Sequence, residues 1–321
     1  MAVTAPWERD AVAMDDDARA DRTARAVAAA RAVAAEHGVA AGEAVVLHDL
    51  FSVVVHLAPA PVVMRIPTVL PPSRRADPAR TLAERRDEIA VSVALGDLGF
   101  PTTKPSPLLP SVPFECDGFV MTAWEHVEVL PDAELDDPPG YVADLHAALR
   151  GVDLPCLPFL VFWDDWLTET LDLLADLPEL LAPADLALAR REYQRVDEVF
   201  GSPEAFAAAF PHAGVQPIHG DGPTHNVLAT PAGPVVTDLE HACLGPVEWD
   251  LAMTGPEFVS AYDAATVLRG GRPADRELLA LCESARWLQI VCCLGLAPWS
   301  PPDLVDGILP LVDVWRGTIG D

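Results

Sequence analysis

The residues best suited to chemistry lie in one short segment, HGDGPTHN, at positions 219–226. It ends in Asn226, the only asparagine of the 321-residue chain, five residues after Asp221. A further acid, Asp238, follows twelve residues later. Amide and carboxylate oxygens are the hard ligands that hold Mg²⁺ beside phosphate groups. The spacing therefore indicates a magnesium site used in phosphate chemistry.

The sequence around these residues predicts how Asn226 and Asp238 come together. NVLAT and PVVTD are two short strand-forming runs on either side of the turn PAG, a pattern typical of a β-hairpin. In an antiparallel pair, the first residue of one strand lies opposite the last residue of the other. We therefore expect Asn226 and Asp238 to be neighbours and to share the cation, which usually takes only one or two protein oxygens.

Asp221 lies before the hairpin and stays free for a second task. A carboxylate held beside a metal-bound triphosphate is able to accept the proton of an incoming hydroxyl. Gly220 allows a tight backbone turn there, and we expect His219 to support the loop rather than to act as a ligand or base. A metal-dependent phosphohydrolase is a further hypothesis, but such sites recruit more His and Asp ligands than this region offers.

Two segments, IHGDGPTHNVL and VVTDLEHACLGPVEWDLA, resemble the signature of the aminoglycoside phosphotransferase family, small-molecule kinases with a protein-kinase-like fold. The pattern is met by His219, Gly220, Asp221, Asn226, Asp238, Glu240 and Asp250. The resemblance implies that Asp221 is the catalytic base and that Asn226 and Asp238 hold Mg²⁺. It also implies that Glu240 assists at the metal and that Asp250 braces the catalytic loop.

The same resemblance extends more loosely to the first lobe. Related kinases place a basic residue on the third strand to hold the α- and β-phosphates, tied to a helix glutamate. Arg65 and Glu88 stand at these places, and the only lysine, Lys104, does not. A solvated strand end and an exposed helix charge remain the alternative. FVMTAWEHVEVLPD resembles the hinge between lobes, so we expect Met121 and Ala123 to meet the adenine. VLHDLFSVVV, where a phosphate-covering loop belongs, contains no glycine.

Helix and strand signals arrange these residues in two lobes. We expect a helix over 15–38, strands near 52–57 and 62–67, a loop over 68–80, a helix over 81–99 and a strand over 119–124. From about residue 125, apolar residues at three- and four-residue spacing predict helices around the catalytic segment. The sequence therefore predicts an α+β, bilobal, protein-kinase-like fold. A small, mainly antiparallel nucleotide-binding lobe spans 1–124, and a larger helical lobe for catalysis and acceptor binding spans 125–321.

The chain is strongly acidic. Its 21 basic and 49 acidic side chains give a net charge of −28, which argues against a nucleic acid or an anionic membrane as partner. Residues 121–321 carry −24 of this charge, and the acceptor of related kinases binds there. Asp164, Asp165, Glu257 and Asp263 are candidates for holding a cationic acceptor. A solvated acidic face is the alternative interpretation of the same residues.

The cysteines and the apolar segments predict the compartment. Six cysteines show neither paired-ligand spacing nor a disulfide framework, so we interpret them as reduced core residues. The acidic start of the chain lacks the order of a secretory signal. The apolar stretch WLQIVCCLGLAPW is too short to span a bilayer. A cytoplasmic protein without a membrane partner is expected.

The leading hypothesis is a kinase that uses Mg²⁺ to transfer the γ-phosphate of ATP or GTP to a hydroxyl of a small acceptor. Cationic compounds such as aminoglycosides are among the candidate acceptors. A catalytically silent, kinase-shaped binding protein is the alternative, because the glycine loop is missing and an arginine replaces the usual lysine. The sequence does not choose between donors, between acceptors or between oligomeric states.

Overall fold

The computed structural model describes residues 14–131, 133–155 and 157–319. The acidic start of the chain before Met14 and the interpretation of Cys156 as a core thiol lie outside these residues. The first lobe consists of α1 (Asp16–Glu36), β1 (Ala41–Asp49), β2 (Ser52–Pro59), β3 (Val62–Pro67), α2 (Pro72–Ala76), α3 (Pro78–Asp97), β4 (Phe114–Cys116) and β5 (Phe119–Glu125). Its five strands form an antiparallel sheet of order β1-β2-β3-β5-β4.

The second lobe is mainly helical. It consists of α4 (Pro138–Leu149), α5 (Asp165–Leu173), α6 (Pro183–Phe200), α7 (Pro203–Ala209), β6 (Gln216–Ile218), β7 (Val227–Thr230), β8 (Gly233–Val236), β9 (Cys243–Gly245), α8 (Glu248–Leu251), α9 (Pro256–Val267), α10 (Arg276–Cys292) and α11 (Pro302–Ile319). Strands β6 and β9 pair with each other, as do β7 and β8. The predicted α+β, bilobal fold of protein-kinase type is confirmed.

The core of the first lobe forms where α1 packs on the sheet. Asp15 caps the helix by accepting a hydrogen bond from the Ala18 N–H at 2.7 Å, as expected for an aspartate before a helix. The small side chains of Ala26 and Ala30 are fully buried against the sheet, which presents Val53 from its inner face. Alanine is the best helix former and lets the helix approach the strands closely.

The predicted hairpin is confirmed in the second lobe. Val227 pairs with Val236, and the Thr237 N–H donates to the carbonyl oxygen of Asn226 at 2.9 Å. The tight turn between the strands includes Gly233 at φ +115°, a conformation that other residues rarely adopt. The hairpin thus carries Asn226 on its incoming side and Asp238 just beyond its outgoing side.

Some predicted elements differ from the structure. The segment 68–80 is not a plain loop, because it contains α2 and the start of α3. Both helices begin with proline, which is tolerated in a first helical turn because no backbone donor is lost there. The helix predicted to continue past Leu251 is interrupted before α9, where Gly255 has φ +87°. β1 was not predicted because this edge strand leaves most of its side chains exposed, without the alternation of a half-buried strand.

One stretch, Arg276–Trp299, is long and apolar enough to cross a membrane by length and composition alone. It is longer than the apolar run recognised in the sequence, because α10 contributes its earlier turns. Of its most apolar window, 61% is buried inside the protein. Burial of this kind is typical of the core helix of a globular lobe.

Candidate active site

The loop that carries Asp221 is held by a buried carboxylate. Asp250, in α8, accepts hydrogen bonds from the N–H groups of His219 and Gly220, both at 2.8 Å. It also accepts one from His146 Nε2 at 3.0 Å, while the other ring nitrogen of His146 bonds to the Tyr262 hydroxyl at 2.8 Å. Burial alone would raise the pKa of Asp250, but these donors outweigh it and hold the pKa below its ordinary value. The sequence analysis did not identify His146, because it lies 104 residues before Asp250 in the chain.

Gly220 and His219 fix the shape of the same loop. Gly220 has φ +85°, and a Cβ at this position would clash with the carbonyl oxygen of His241. His219 is fully buried, and its Nε2 lies 3.0 Å from the carbonyl oxygen of Thr237. A carbonyl only accepts, so Nε2 carries the proton and Nδ1 accepts from the Asp221 N–H at 3.3 Å. This neutral imidazole joins the loop to the hairpin.

The carboxylate of Asp221 is held at one oxygen and accessible at the other. Arg286, on α10, donates from Nη2 to Asp221 Oδ1 at 2.7 Å, and the Asp221 side chain is 34% exposed. Burial raises the pKa of Asp221, but Arg286 contributes the largest opposing effect and the net pKa lies below the ordinary value. Asp221 is therefore ionised at neutral pH. Arg286 was not among the residues predicted from the sequence, and no local motif marks it.

Asn226 is tied to the catalytic loop through its amide nitrogen. Its Nδ2 donates to the main-chain carbonyl oxygen of Asp221 at 2.6 Å. The amide oxygen then points away from this bond and remains available as a ligand. One end of the side chain therefore holds the loop, and the other end is free of hydrogen bonds within the described residues.

A buried group of arginines and carboxylates lies between the two lobes, and we call it the inner cluster. It consists of Arg65 on β3, Arg85 and Glu88 on α3, and Asp238 and Glu240 after β8. Arg65 donates from Nη1 to Glu240 at 2.9 Å, and its Nη2 lies 3.0 Å from Asp238. Arg85 donates to Oε2 of the same glutamate, the oxygen that also accepts from Arg65 Nη1. Both lobes therefore contribute charges to one compact network.

The predicted partners Arg65 and Glu88 do come together, at 3.7 Å. Arg85, which the sequence analysis missed, lies 3.4 Å from Glu88. Its position one helical turn before Glu88 was the available signal, because residues three apart share a helix face. Neither Arg65 nor Glu88 is a solvated surface charge, since their side chains are only 11% and 2% exposed.

The inner cluster distributes its charge unevenly. Burial raises the pKa of Glu88 to about 7 and also raises the pKa of Asp238. For Glu240, burial is outweighed by Arg65 and Arg85, which hold its pKa well below the ordinary range. Glu240 is therefore the firmly ionised member, and both of its oxygens already accept from arginines. This placement does not leave Glu240 open to a cation, contrary to the ligand role expected from the sequence.

The residues that remain fit a magnesium ion. Asp238 Oδ1 is buried and accepts no hydrogen bond, although it lies near Arg65. Together with the amide oxygen of Asn226 it offers the hard oxygen donors that Mg²⁺ prefers. Within the described ranges, no three His, Cys, Asp or Glu side chains form a metal-binding group by themselves. A magnesium ion held here would complete its coordination with phosphate oxygens and water.

The positions of Met121 and Ala123 differ from the expectation that these residues contact adenine. Met121 and Ala123 lie in β5 between β3 and β4, with side chains only 0% and 4% exposed in the core of the first lobe. The carbonyl oxygen of Ala123 already accepts from the Ser106 N–H at 3.0 Å. The chain leaves the sheet after Glu125. The burial of these two side chains and the use of the Ala123 carbonyl oxygen do not support the expected contact of Met121 and Ala123 with adenine.

The turn between β1 and β2 is held by α1 rather than shaped by glycines. Asp49 accepts hydrogen bonds from Arg22 and from the Thr23 hydroxyl, the latter at 2.7 Å. Arg19 donates to the Asp49 carboxylate at 3.2 Å and to its carbonyl oxygen at 2.5 Å. A side-chain network thus fixes the turn that stands in the place of a flexible phosphate-covering loop.

Asp164 and Asp165, expected to bind the acceptor, are paired within the chain. They belong to a second group, which we call the outer cluster and which consists of Arg74, Arg80, Glu84, Asp164 and Asp165. Arg74 lies 2.9 Å from Asp165 and Arg80 lies 3.0 Å from Asp164. Asp164 also caps α5 through the Trp166 N–H. These contacts join α2 and α3 to the second lobe and supply the positive partners internally.

The other two acceptor candidates lie on α9. Asp263 accepts from the Ala274 N–H at 2.8 Å and pairs with Arg276 at 2.5 Å, while Glu257 is exposed in the first turn of the helix. None of their contacts involves Asp221. The structure therefore does not bring the four predicted acidic residues together around the catalytic loop.

A different set of side chains lies beside Asp221. The Arg286 guanidinium lies 6.0 Å from the centre of the Phe162 ring, which also packs against His241 with ring centres 3.5 Å apart. Gln289 accepts from Arg286 at 3.3 Å and donates to the Phe162 carbonyl oxygen at 3.0 Å. Burial lowers the pKa of His241 to about 4, so this ring is neutral at physiological pH. Among these four side chains beside Asp221, Arg286 is therefore the charged one.

Comparison with solved structures gives the same fold. A choline/ethanolamine kinase family protein from Mesorhizobium loti is 18% identical with a TM-score of 0.59, covering 94% of this chain and 95% of its own. An aminoglycoside phosphotransferase from Streptomyces rimosus, solved with ADP and streptomycin, is 16% identical with a TM-score of 0.52 over 82% and 98%. A GDP and kanamycin complex of a further phosphotransferase is 13% identical with a TM-score of 0.57 over 90% and 98%. At these identities the likeness concerns the fold.

Comparison at the level of sequence is more specific. A search of curated proteins gave no significant match. The model of the phosphotransferase enzyme family matches residues 60–282, a range that runs from β3 into α10 and contains the catalytic loop, the hairpin and Asp250. Because this match covers more than half of the chain, and because the fold agrees, the chain belongs to the phosphotransferase enzyme family.

Proposed function

We propose that this protein is a Mg²⁺-dependent kinase that transfers the γ-phosphate of ATP or GTP to a hydroxyl group of a small molecule. The observation that carries the proposal is the placement of one ionised, partly exposed carboxylate, Asp221, beside the amide of Asn226. The family membership supports phosphoryl transfer to a small molecule. Solved structures of this fold with ADP and with GDP support a purine nucleotide as donor.

The chain's own residues divide the work of the proposed reaction. Asp221 accepts the proton of the incoming hydroxyl through the oxygen that Arg286 leaves open. Asn226 and Asp238 hold Mg²⁺, which neutralises charge on the phosphates of the donor. Arg65 turns from Asp238 towards the phosphates when the donor binds, because its fork of donors suits phosphate oxygens. Glu88 and Glu240 remain as the partners that orient Arg65.

Removal of the base tests the proposal. Asp221→Asn keeps the size of the side chain and loses the proton acceptor, so turnover should fall by about 10²- to 10⁴-fold. Donor binding, followed by the thermal shift with Mg²⁺ and a non-hydrolysable nucleotide, should persist. The measurement is release of ADP or GDP together with mass detection of a phosphorylated acceptor from a broad panel. Normal turnover in Asp221→Asn would refute the assignment of the base.

A catalytically silent binding protein is the second candidate. The observation in its favour is the β1–β2 turn, which Asp49 and α1 hold without glycines and which therefore offers little close backbone approach to phosphates. The same two measurements separate the candidates. Nucleotide-dependent stabilisation without a phosphorylated product from any acceptor would favour the silent protein.

We further propose that the protein works in the cytoplasm. The five cysteines in the described residues are free. Burial raises the pKa of Cys243 to about 12, so it remains a protonated core thiol. A reducing compartment that also supplies ATP and GTP matches these properties.

A further inference from the structure

Arg286 is a fixed positive charge at the place where the acceptor has to react. Its guanidinium is held on one side by Asp221 at 2.7 Å and on another by Gln289 at 3.3 Å. Gln289 is itself held by the Phe162 carbonyl oxygen at 3.0 Å, and the Arg286 side chain is only 19% exposed. A guanidinium restrained in this way does not move aside at low cost, because each contact would have to be broken.

Arg286 also has donors to spare. An arginine carries five N–H groups, and two of them account for the bonds to Asp221 and Gln289. Nε donates to no group in the described residues, and it is not among the enclosed polar atoms that lack a partner. Nε is therefore not shut off from solvent and remains available to a ligand.

The distance to the reacting group follows from bond geometry. A hydroxyl that donates to the free oxygen of Asp221 lies within about 6 Å of the Arg286 nitrogen, since a carboxylate and one hydrogen bond separate them. Substituents on the next one or two carbon atoms of the acceptor come close enough to the guanidinium to be attracted or repelled by it. A nearby ammonium group would be opposed, and a carboxylate or phosphate would be bound in the bidentate manner typical of arginine.

The acidic residues that might have received a cationic acceptor do not offset this charge. Asp164 and Asp165 are paired in the outer cluster, and Asp263 is paired with Arg276. These three carboxylates therefore already have arginine partners and are not free to receive a cationic acceptor.

We infer that the acceptor is an alcohol that carries an anionic group, a carboxylate or a phosphate, one to three carbon atoms from the hydroxyl, and that Arg286 selects it. This inference rests on the proposed kinase function and adds the substrate class. The reaction remains an ordinary phosphoryl transfer: the acceptor oxygen forms the new bond to phosphorus, the bond to the nucleoside diphosphate breaks, and Asp221 takes the hydroxyl proton. The inferred preference for an anionic acceptor distinguishes this chain from the proteins of the same fold that were solved with streptomycin and kanamycin.

Three acceptors of equal chain length and different charge test the inference. These probes are 3-hydroxypropionate, 1,3-propanediol and 3-aminopropanol, accompanied by glycerate and kanamycin as larger members of the anionic and cationic classes. For each, kcat/KM is measured with Mg²⁺ and the preferred nucleotide in the unmodified protein, in Arg286→Gln and in Arg286→Lys. Arg276→Gln, on the same helix and paired only with Asp263, is the matched control.

The expected result is a preference for the anionic probe over the cationic one. The preference should fall by about 10- to 100-fold in Arg286→Gln, the discrimination that one charged hydrogen bond provides. Arg286→Lys should retain part of it, and the control should retain all of it. A preference for 3-aminopropanol or kanamycin, or an equal loss of rate for every probe in Arg286→Gln, would overturn the inference. An equal loss of rate for every probe would mean that Arg286 only positions Asp221 and does not select the acceptor.

A binding measurement separates this inference from the proposed function. If neither these probes nor the broad acceptor panel gives a phosphorylated product although the nucleotide binds, the kinase proposal fails. Thermal stabilisation by the same probes in the presence of Mg²⁺ and a non-hydrolysable nucleotide then still decides the selectivity. Stabilisation by 3-hydroxypropionate that disappears in Arg286→Gln upholds the anion site, and its absence from the unmodified protein refutes it.

Discussion

The inner and outer clusters have the same composition and different surroundings. Each contains two arginines and three carboxylates, and each joins α3 to the second lobe. In the inner cluster both arginine side chains are buried, at 11% and 5% exposed. In the outer cluster Arg74 is equally buried at 8%, but Arg80 and Asp165 are 35% and 59% exposed. Charge count alone therefore does not determine what such a group does. The inner cluster includes Asp238, beside which the proposed function places the phosphates of the donor, while the outer cluster joins α2 and α3 to the second lobe.

Arg65→Met should produce the largest effect and break the inner cluster. It removes the charge expected to hold the phosphates and leaves Asp238 and Glu240 without their shared partner, so kcat/KM should fall by at least about 100-fold. Steady-state kinetics with varied nucleotide measure this loss. Arg65→Lys keeps the charge but lacks the planar guanidinium, so its kcat/KM should lie between those of the unmodified protein and Arg65→Met. Unchanged kinetics in Arg65→Met would remove Arg65 from the site.

Arg74→Met breaks the outer cluster in the same way and should chiefly affect stability. Arg74 is 8% exposed and pairs with Glu84, Asp164 and Asp165, so its loss should lower the free energy of unfolding by about 2 kcal/mol. Urea unfolding measures this change. Adding Asp164→Asn removes one of the carboxylates that has lost an arginine partner and should restore part of the stability. A fall in kcat/KM comparable to that of Arg65→Met would contradict the distinction between the clusters.

Glu88→Gln should reveal the buried carboxyl of the inner cluster through pH. Because burial raises the pKa of Glu88 in the folded protein to about 7, from an ordinary value of 4.5, its favourable contribution is fully present below pH 4.5 and is lost as the pH rises through 7. The free energy of unfolding of the unmodified protein should therefore fall relative to Glu88→Gln over this interval, by roughly 1.4 kcal/mol for each unit of pKa shift. Chemical unfolding at pH 5, 6, 7 and 8 tests it. A difference that does not change with pH would contradict the raised pKa.

Added salt should have the smallest effect on the free energy of unfolding, and this effect should differ between the exposed outer cluster and the buried inner cluster. At 1 M NaCl the screening length is about 3 Å, so the destabilisation caused by Arg74→Met should shrink by a few tenths of a kcal/mol. The difference between the unmodified protein and Glu88→Gln should stay nearly constant, because the inner side chains are shielded from solvent. Equal salt sensitivity of both variants would argue against the difference in burial.

The sequence predicted those parts of the site that are local in the chain. The loop 219–226 and the hairpin lie within twenty residues of each other, so turn chemistry and strand pairing placed Asn226 beside the outgoing end that carries Asp238. The predicted fold followed from strand-rich and helix-rich segments in the same manner. Arg286 and His146 were missed, because they reach the loop from α10 and α4 and only tertiary packing brings them there.

The internal pairing of the predicted acceptor residues was missed for a related reason. Asp164 and Asp165 attracted attention as acids beside tryptophans, but their partners Arg74 and Arg80 lie 90 and 85 residues earlier. A sequence shows which charges a chain carries and not which of them neutralise one another. Pairing between distant charges is fixed only when the two lobes meet.

The contacts of α1 have a consequence for motion. Arg22 donates both to Asp49 at the β1–β2 turn and to the carbonyl oxygen of Trp299 at 3.4 Å, and Arg19 reaches Asp303 of α11 at 3.1 Å. Helix α1, which lies outside the family-matched range 60–282, thus connects the β1–β2 turn at the edge of the sheet with the start of α11 in the second lobe. Wide opening of the lobes would break these contacts. Helix α1 therefore couples the β1–β2 turn to the start of α11, so that displacement of one is opposed by bonds to the other.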